Sequence, residues 1–66
     1  MEIVINGTPQ QVADEMSLER AVSLISLAET GIAAAVNGEV VRRASWPSTR
    51  LEAGDVVEVL MAVQGG

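Results

Sequence analysis

Val56-Val57-Glu58-Val59-Leu60-Met61-Ala62-Val63 is the stretch whose reading decides the fold. Glu58 is its single charged residue, and a strand that reads as a near-continuous apolar run belongs in the middle of a sheet. Successive side chains on a strand point to opposite faces, so Val57, Val59, Met61 and Val63 form one set and Val56, Glu58, Leu60 and Ala62 the other. The charge on the second set assigns the first to the core, against a helix. Leu60 and Ala62 are then left partly exposed. A central strand needs a neighbour on each side, and the chain upstream must supply both.

Working outward, Ala53-Gly54-Asp55 is a turn into this strand, and Ala44 to Ser48, with Trp46 and Pro47, reads as irregular. Ile32 to Val36 is a short apolar strand, Asn37-Gly38 a type I′ hairpin signal, and Glu39 to Arg42 the returning partner. At the other end, Ile3 and Ile5 alternate with Glu2, Val4 and Asn6 and run into Asn6-Gly7, a second signal of the same kind. Thr8 to Asp14 follows as a weaker strand that carries Val12 inward and tolerates Pro9 at a sheet edge. The likeness of Val4-Ile5-Asn6-Gly7 to Ala35-Val36-Asn37-Gly38 needs no duplication, because turn chemistry alone explains it.

Between the hairpins, Ser17 is placed as an N-cap and Glu19 lies in the first turn, where a negative charge suits the helix dipole. Leu18, Ala21, Val22, Ile25 and Ala28 recur at helical spacing up to Gly31, which supplies a left-handed C-terminal cap. The spacing predicts one amphipathic helix over Leu18 to Thr30. Two strands, a helix, two short strands and a buried terminal strand have one simple compact solution: the last strand lies parallel to the first at the centre of a mixed sheet, with the helix across one face. This is the α+β β-grasp, or ubiquitin-like, arrangement, with a sheet of four to five strands over residues 1–63 and a flexible tail at 64–66.

Composition narrows the function. The chain has 66 residues, 48% of them hydrophobic, with no Cys, His, Phe or Tyr and one Trp. A domain of this size has no room for an interdomain cleft. Nine acidic residues against four arginines give a net charge of −5, which opposes binding to nucleic acid. Lysine is absent as well, so of the usual acid-base and nucleophilic groups only carboxylates remain, and no pair of them is arranged for catalysis. The expectation is a protein that is not itself an enzyme and binds no cofactor or metal. No cysteine framework, no leader-like segment ahead of Glu2 and no apolar run longer than Val59 to Val63 point to a cytoplasmic protein free of membranes.

Chemistry is then left to the end of the chain, Gln64-Gly65-Gly66. Gly65 and Gly66 lack Cβ atoms, so a terminal carboxylate here sits on a slim probe. From Gln64 to Gly66 it reaches roughly 10 Å at about 3.3–3.6 Å per residue, enough to enter a narrow channel in a partner. A free carboxylate is a poor acyl donor, and condensation with ATP replaces its bad leaving group by AMP. An inert tail on a plain interaction module is the alternative.

Over nearly its whole length the sequence resembles the sulfur carrier proteins of thiamin biosynthesis. The resemblance is carried by Ile3–Gly7, Ala35–Val41, Trp46, Gly54-Asp55 and Val63–Gly66. It implies a ubiquitin-like fold and adenylation of Gly66 by an activating enzyme that uses ATP and magnesium. Sulfur from a donor protein then yields a thiocarboxylate, which thiazole synthase consumes. Gly66 is the modified position, with Gly65 its slim neighbour. The segment after the second turn often reads Val-Pro-Arg in that family, whereas here it is Val41-Arg42-Arg43. Two alternatives keep the fold and tail: a carrier like the small subunit of molybdopterin synthase, and a ubiquitin-like protein modifier.

The expected partner-binding residues are Gly65, Gly66 and Gln64, with Leu60 and Ala62 as an apolar patch beside the tail. Trp46 reads as a plug for one end of the core, with a partner contact as the alternative. Arg42, Arg43 and Arg50 are either solvated charge or a docking site for an acidic patch.

Overall fold

Two Asn-Gly turns organise the sheet. In a computed structural model, which describes residues 1–25 and 31–61, Asn6 and Gly7 have φ of 50° and 80°, and Asn37 and Gly38 have 52° and 83°. Positive φ at both central residues is the type I′ turn, whose twist matches that of the strands it joins. The first turn joins β1 (Glu2–Ile5) to β2 (Thr8–Gln11), pairing Ile5 with Thr8 and Val4 with Pro9. The second joins β3 (Ile32–Val36) to β4 (Glu39–Val41), pairing Val36 with Glu39. Val4 directs its N–H away from β2, to the Asp55 carbonyl at 2.9 Å. Pro9 therefore faces the outer edge, where its missing donor costs no ladder bond.

β5 (Val56–Met61) lies between the hairpins. It runs parallel to β1, with Val4 beside Val56, and antiparallel to β3, with Val36 opposite Val57 and Ile32 opposite Met61. The sheet has five strands in the order β2-β1-β5-β3-β4, the mixed arrangement expected from the sequence.

The α-helix α1 (Leu18–Ser23) begins at Ser17, whose Oγ accepts the Arg20 N–H at 3.1 Å. It buries Leu18, Ala21 and Val22. It is shorter than the expected Leu18 to Thr30. Leu24 is the C-cap, and the Leu24 and Ile25 N–H groups bond three residues back, to Ala21 and Val22. The Ser23 hydroxyl donates to the Arg20 carbonyl at 2.6 Å, the kind of side-chain competition that disfavours helix continuation. Ile25, expected on the buried stripe, is 38% exposed. Ala28 and the rest of 26–30 lie outside the described residues. Gly31 has a left-handed φ of 74°, but it is not the C-cap expected of it, since Leu24 holds that place at the end of α1.

Arg43–Ser48 forms a 3-10 helix where an irregular stretch was expected, and its Trp46 is buried. The indole N–H donates to the Val41 carbonyl at 2.9 Å, so the polar end of the ring is satisfied inside the fold. This is the core-plug role. A backbone pair ties the helix start to the segment that follows: Leu18 N–H to Thr49 O and Leu51 N–H to Met16 O, both 2.8 Å.

Ile3, Ile5, Leu18, Ala21, Val22, Ala34, Trp46, Leu51, Val57 and Val59 form one buried cluster on the helix side of the sheet. Burying a large aliphatic side chain in this way stabilises by about 1.5–3 kcal/mol relative to leaving it exposed. The alternation expected of β5 holds over most of its length, with Val57 and Val59 buried and Val56, Glu58 and Leu60 exposed, but one placement needs correction. Met61, placed with Val57 and Val59 against the helix, is 57% exposed, because α1 ends at Ser23 and does not cover this end of the strand. The second strand stops at Gln11 rather than Asp14, although Val12 and Met1 still exchange backbone bonds of 2.7 and 2.8 Å. The fourth stops at Val41 rather than Arg42.

Candidate functional site

The site is the end of the central strand. β5 is held on its β3 side as far as Met61 and on its β1 side by an arrangement that the sequence did not reveal. Asn6 directs its side chain across to β5: Oδ1 accepts the Val59 N–H at 2.8 Å, and Nδ2 donates to the Val59 carbonyl at 3.2 Å. Asn37 makes a related clamp at the start of the strand, its Oδ1 accepting the Val56 N–H at 2.9 Å and its Nδ2 donating to Asp55 at 3.1 Å. Both residues were read only as turn formers. The signal available was the choice of Asn over Asp or Gly at the first turn position, since the carboxamide alone carries both a donor and an acceptor.

Leu60, predicted at the partner surface, is 65% exposed, and Met61 beside it 57%. With Gly31, Ile32 and Ala33 they line an open depression of about 320 Å³ at the β3–β5 end of the sheet. Glu58 lies on the same open face as Leu60, two residues back, and Ala33 is the cross-strand neighbour of Leu60. Among the described residues the surroundings are thus aliphatic with one carboxylate. Ala62, Gln64, Gly65 and Gly66 lie outside the described residues, as does the expected boundary between domain and tail at 63/64.

The described residues contain no group of three His, Cys, Asp or Glu that could hold a metal ion. No described helix is long and apolar enough to cross a membrane. Arg42, Arg43 and Arg50 are exposed, and the Arg43 guanidinium sits 5.1 Å from the Trp46 ring centroid, a cation–π contact. Among the described residues, the ion pair formed is between the Met1 ammonium and Asp14, at 3.2 Å; with Asp14 85% exposed, it contributes little.

Comparison with known proteins agrees with this architecture. A crystal structure of the thiamine biosynthesis protein ThiS from Geobacter metallireducens superposes with a TM-score of 0.81 at 30% identity, covering all of both chains. An NMR solution structure of a thiamine biosynthesis protein from the same organism gives 0.80 at 30% identity, covering all of this chain and 88% of that one. No curated protein matches the chain. The sequence profile of the ThiS family matches residues 3–66, nearly the whole chain, and on that match the chain belongs to the ThiS family.

Proposed function

We propose that this protein is a sulfur carrier of thiamin biosynthesis whose reactive group is the carboxylate of Gly66. An activating enzyme condenses that carboxylate with ATP in the presence of magnesium, forming an acyl-adenylate and releasing pyrophosphate. A sulfur nucleophile supplied by a donor protein attacks the acyl carbon, AMP departs, and a C-terminal thiocarboxylate remains. Thiazole synthase takes the sulfur, and the carrier returns to the carboxylate. All the catalytic groups sit on partners, which suits a chain without Cys, His or Lys.

The observation that carries this reading is that the match to the ThiS family runs through residue 66 and so takes in both terminal glycines. Two features support it. The last described residues before the tail, Leu60 and Met61, belong to the central strand, which is bonded on both flanks as far as Val59. The side chains at its end, Leu60 and Met61, are apolar and exposed, as a transient docking surface requires. Gln64, Gly65 and Gly66 would enter the partner's channel, while Leu60 and Ala62 would rest on its rim.

The test is intact mass spectrometry after incubation with ATP, magnesium, an activating enzyme and a sulfur donor, for the full chain and for a chain lacking Gly66. The full chain should gain the mass difference between sulfur and oxygen at its C-terminus and lose it again to thiazole synthase. The shortened chain should stay unchanged with the same unfolding curve. An unmodified full chain, or a shortened chain that loads normally, overturns the proposal.

A further inference from the structure

The two Asn-Gly turns grip the same strand at different points. Asn37 holds its beginning, donating its N–H to the Val56 carbonyl at 2.7 Å besides the side-chain bonds to Val56 and Asp55. Asn6 holds it farther along. Its N–H donates to the Val57 carbonyl at 2.9 Å, and its carboxamide both accepts from and donates to Val59. In an evenly spaced parallel ladder the next bond would run from the Val59 N–H to the backbone carbonyl of Asn6. The left-handed conformation of Asn6, φ 50°, turns that carbonyl out of the ladder, and the side-chain oxygen stands in for it.

Beyond Val59 no further bond from the β1 side to β5 occurs among the described residues, whereas β3 accompanies the strand with Ala33 opposite Leu60 and Ile32 opposite Met61. Among the described residues Asn6 is therefore the last fixed point on that flank, 53 residues away in sequence from the amide it holds. Gly66 follows seven positions after Val59.

We propose that Asn6 is a positioning residue for the chemistry at Gly66: its carboxamide fixes the direction in which the central strand runs to its end. The inference rests on the carrier reading above. A strand bonded on both flanks has one direction, while a strand bonded to β3 alone pivots about a single ladder. Because displacing reacting atoms by about 1 Å costs up to roughly a hundredfold in rate, loss of this hold should slow acyl-adenylate formation by about tenfold or more.

The second clamp supplies the control. Asn6 and Asn37 both have positive φ, so Gly preserves each turn while removing each side chain. Asn6→Gly deletes two side-chain bonds to Val59 and Asn37→Gly one to Val56 and one to Asp55, so the two should lower the unfolding midpoint by similar amounts. Expected for Asn6→Gly alone are a lower kcat for C-terminal adenylation, an unchanged KM for the carrier, and faster hydrogen exchange at the Val59 and Leu60 amides. A wild-type kcat in Asn6→Gly overturns the proposal. So does an equal loss in both variants, which means general destabilisation, or a raised KM, which makes Asn6 a direct partner contact. Should Asn6→Gly not fold, Asn6→Asp keeps the turn and the acceptor for Val59, loses the donor, and is judged by the same readouts. If the wild-type chain is not adenylated at all, the carrier reading fails and takes this inference with it.

Discussion

Replacing Leu60 by Glu tests whether the open face beside the end of β5 receives the activating enzyme. Leu60 is 65% exposed and packs beside Ala33, so little of the fold depends on it. Full burial of a Leu side chain is worth about 1.5–3 kcal/mol, so covering the exposed two-thirds with a partner is worth about 1–2 kcal/mol. That range corresponds to about fivefold to thirtyfold in affinity. Leu60→Glu forfeits this contribution and sets a second carboxylate on the face that already bears Glu58. A partner must then desolvate that charge, which makes the figure a lower bound. As a surface change it should alter stability by less than about 0.5 kcal/mol. The assay is pyrophosphate release by the activating enzyme over a range of carrier concentrations, paired with thermal unfolding. KM for the carrier should rise by at least about fivefold with the unfolding curve in place. A folded Leu60→Glu chain with the wild-type KM refutes the reasoning, because the surface would then play no part in loading.

Two further predictions concern the scaffold. Trp46 is 4% exposed and its indole N–H is bonded to Val41, so Trp46→Ala should cost about 3–5 kcal/mol, much of what a chain this small possesses. Urea unfolding followed by far-UV circular dichroism measures it, and a midpoint matching wild type would contradict the core-plug role. Ser17→Ala removes the acceptor for the Arg20 N–H and should cost about 0.5–2 kcal/mol, with Ser17→Asp close to wild type. Equal stability of all three chains would show that the cap is idle.

Much of the architecture was legible because its determinants are local. Both Asn-Gly pairs announced type I′ turns, the β3 boundaries could be read from Ile32–Val36, and the apolar run at Val56–Val63 announced the central strand, described as far as Met61. The errors lie where local pattern met tertiary context. The helical spacing through Ile25 and Ala28 predicted a longer helix, but a Ser23 hydroxyl bonded to the Arg20 carbonyl and a tightened turn at Leu24 close it early. Met61 has the parity of a core residue, yet parity says only which face a side chain occupies and nothing of whether that face is covered at that point. The candidate site was half legible. Leu60 was found by alternation, whereas Asn6 was missed because its partner amide is remote in sequence.

By itself the sequence determined the order of elements, the two tight turns, the apolar composition of the strand that becomes central, and the glycine pair at the end, since each depends on residues within a few positions of one another. The tertiary structure alone decided that α1 stops at Ser23, that Met61 faces solvent, that Trp46 returns its N–H to Val41, and that the Asn6 carboxamide completes the ladder at Val59. The physical reason is that coverage and hydrogen-bond partnership are properties of surfaces brought together from distant parts of the chain. Periodicity assigns a residue to a face, and only packing determines what meets it there.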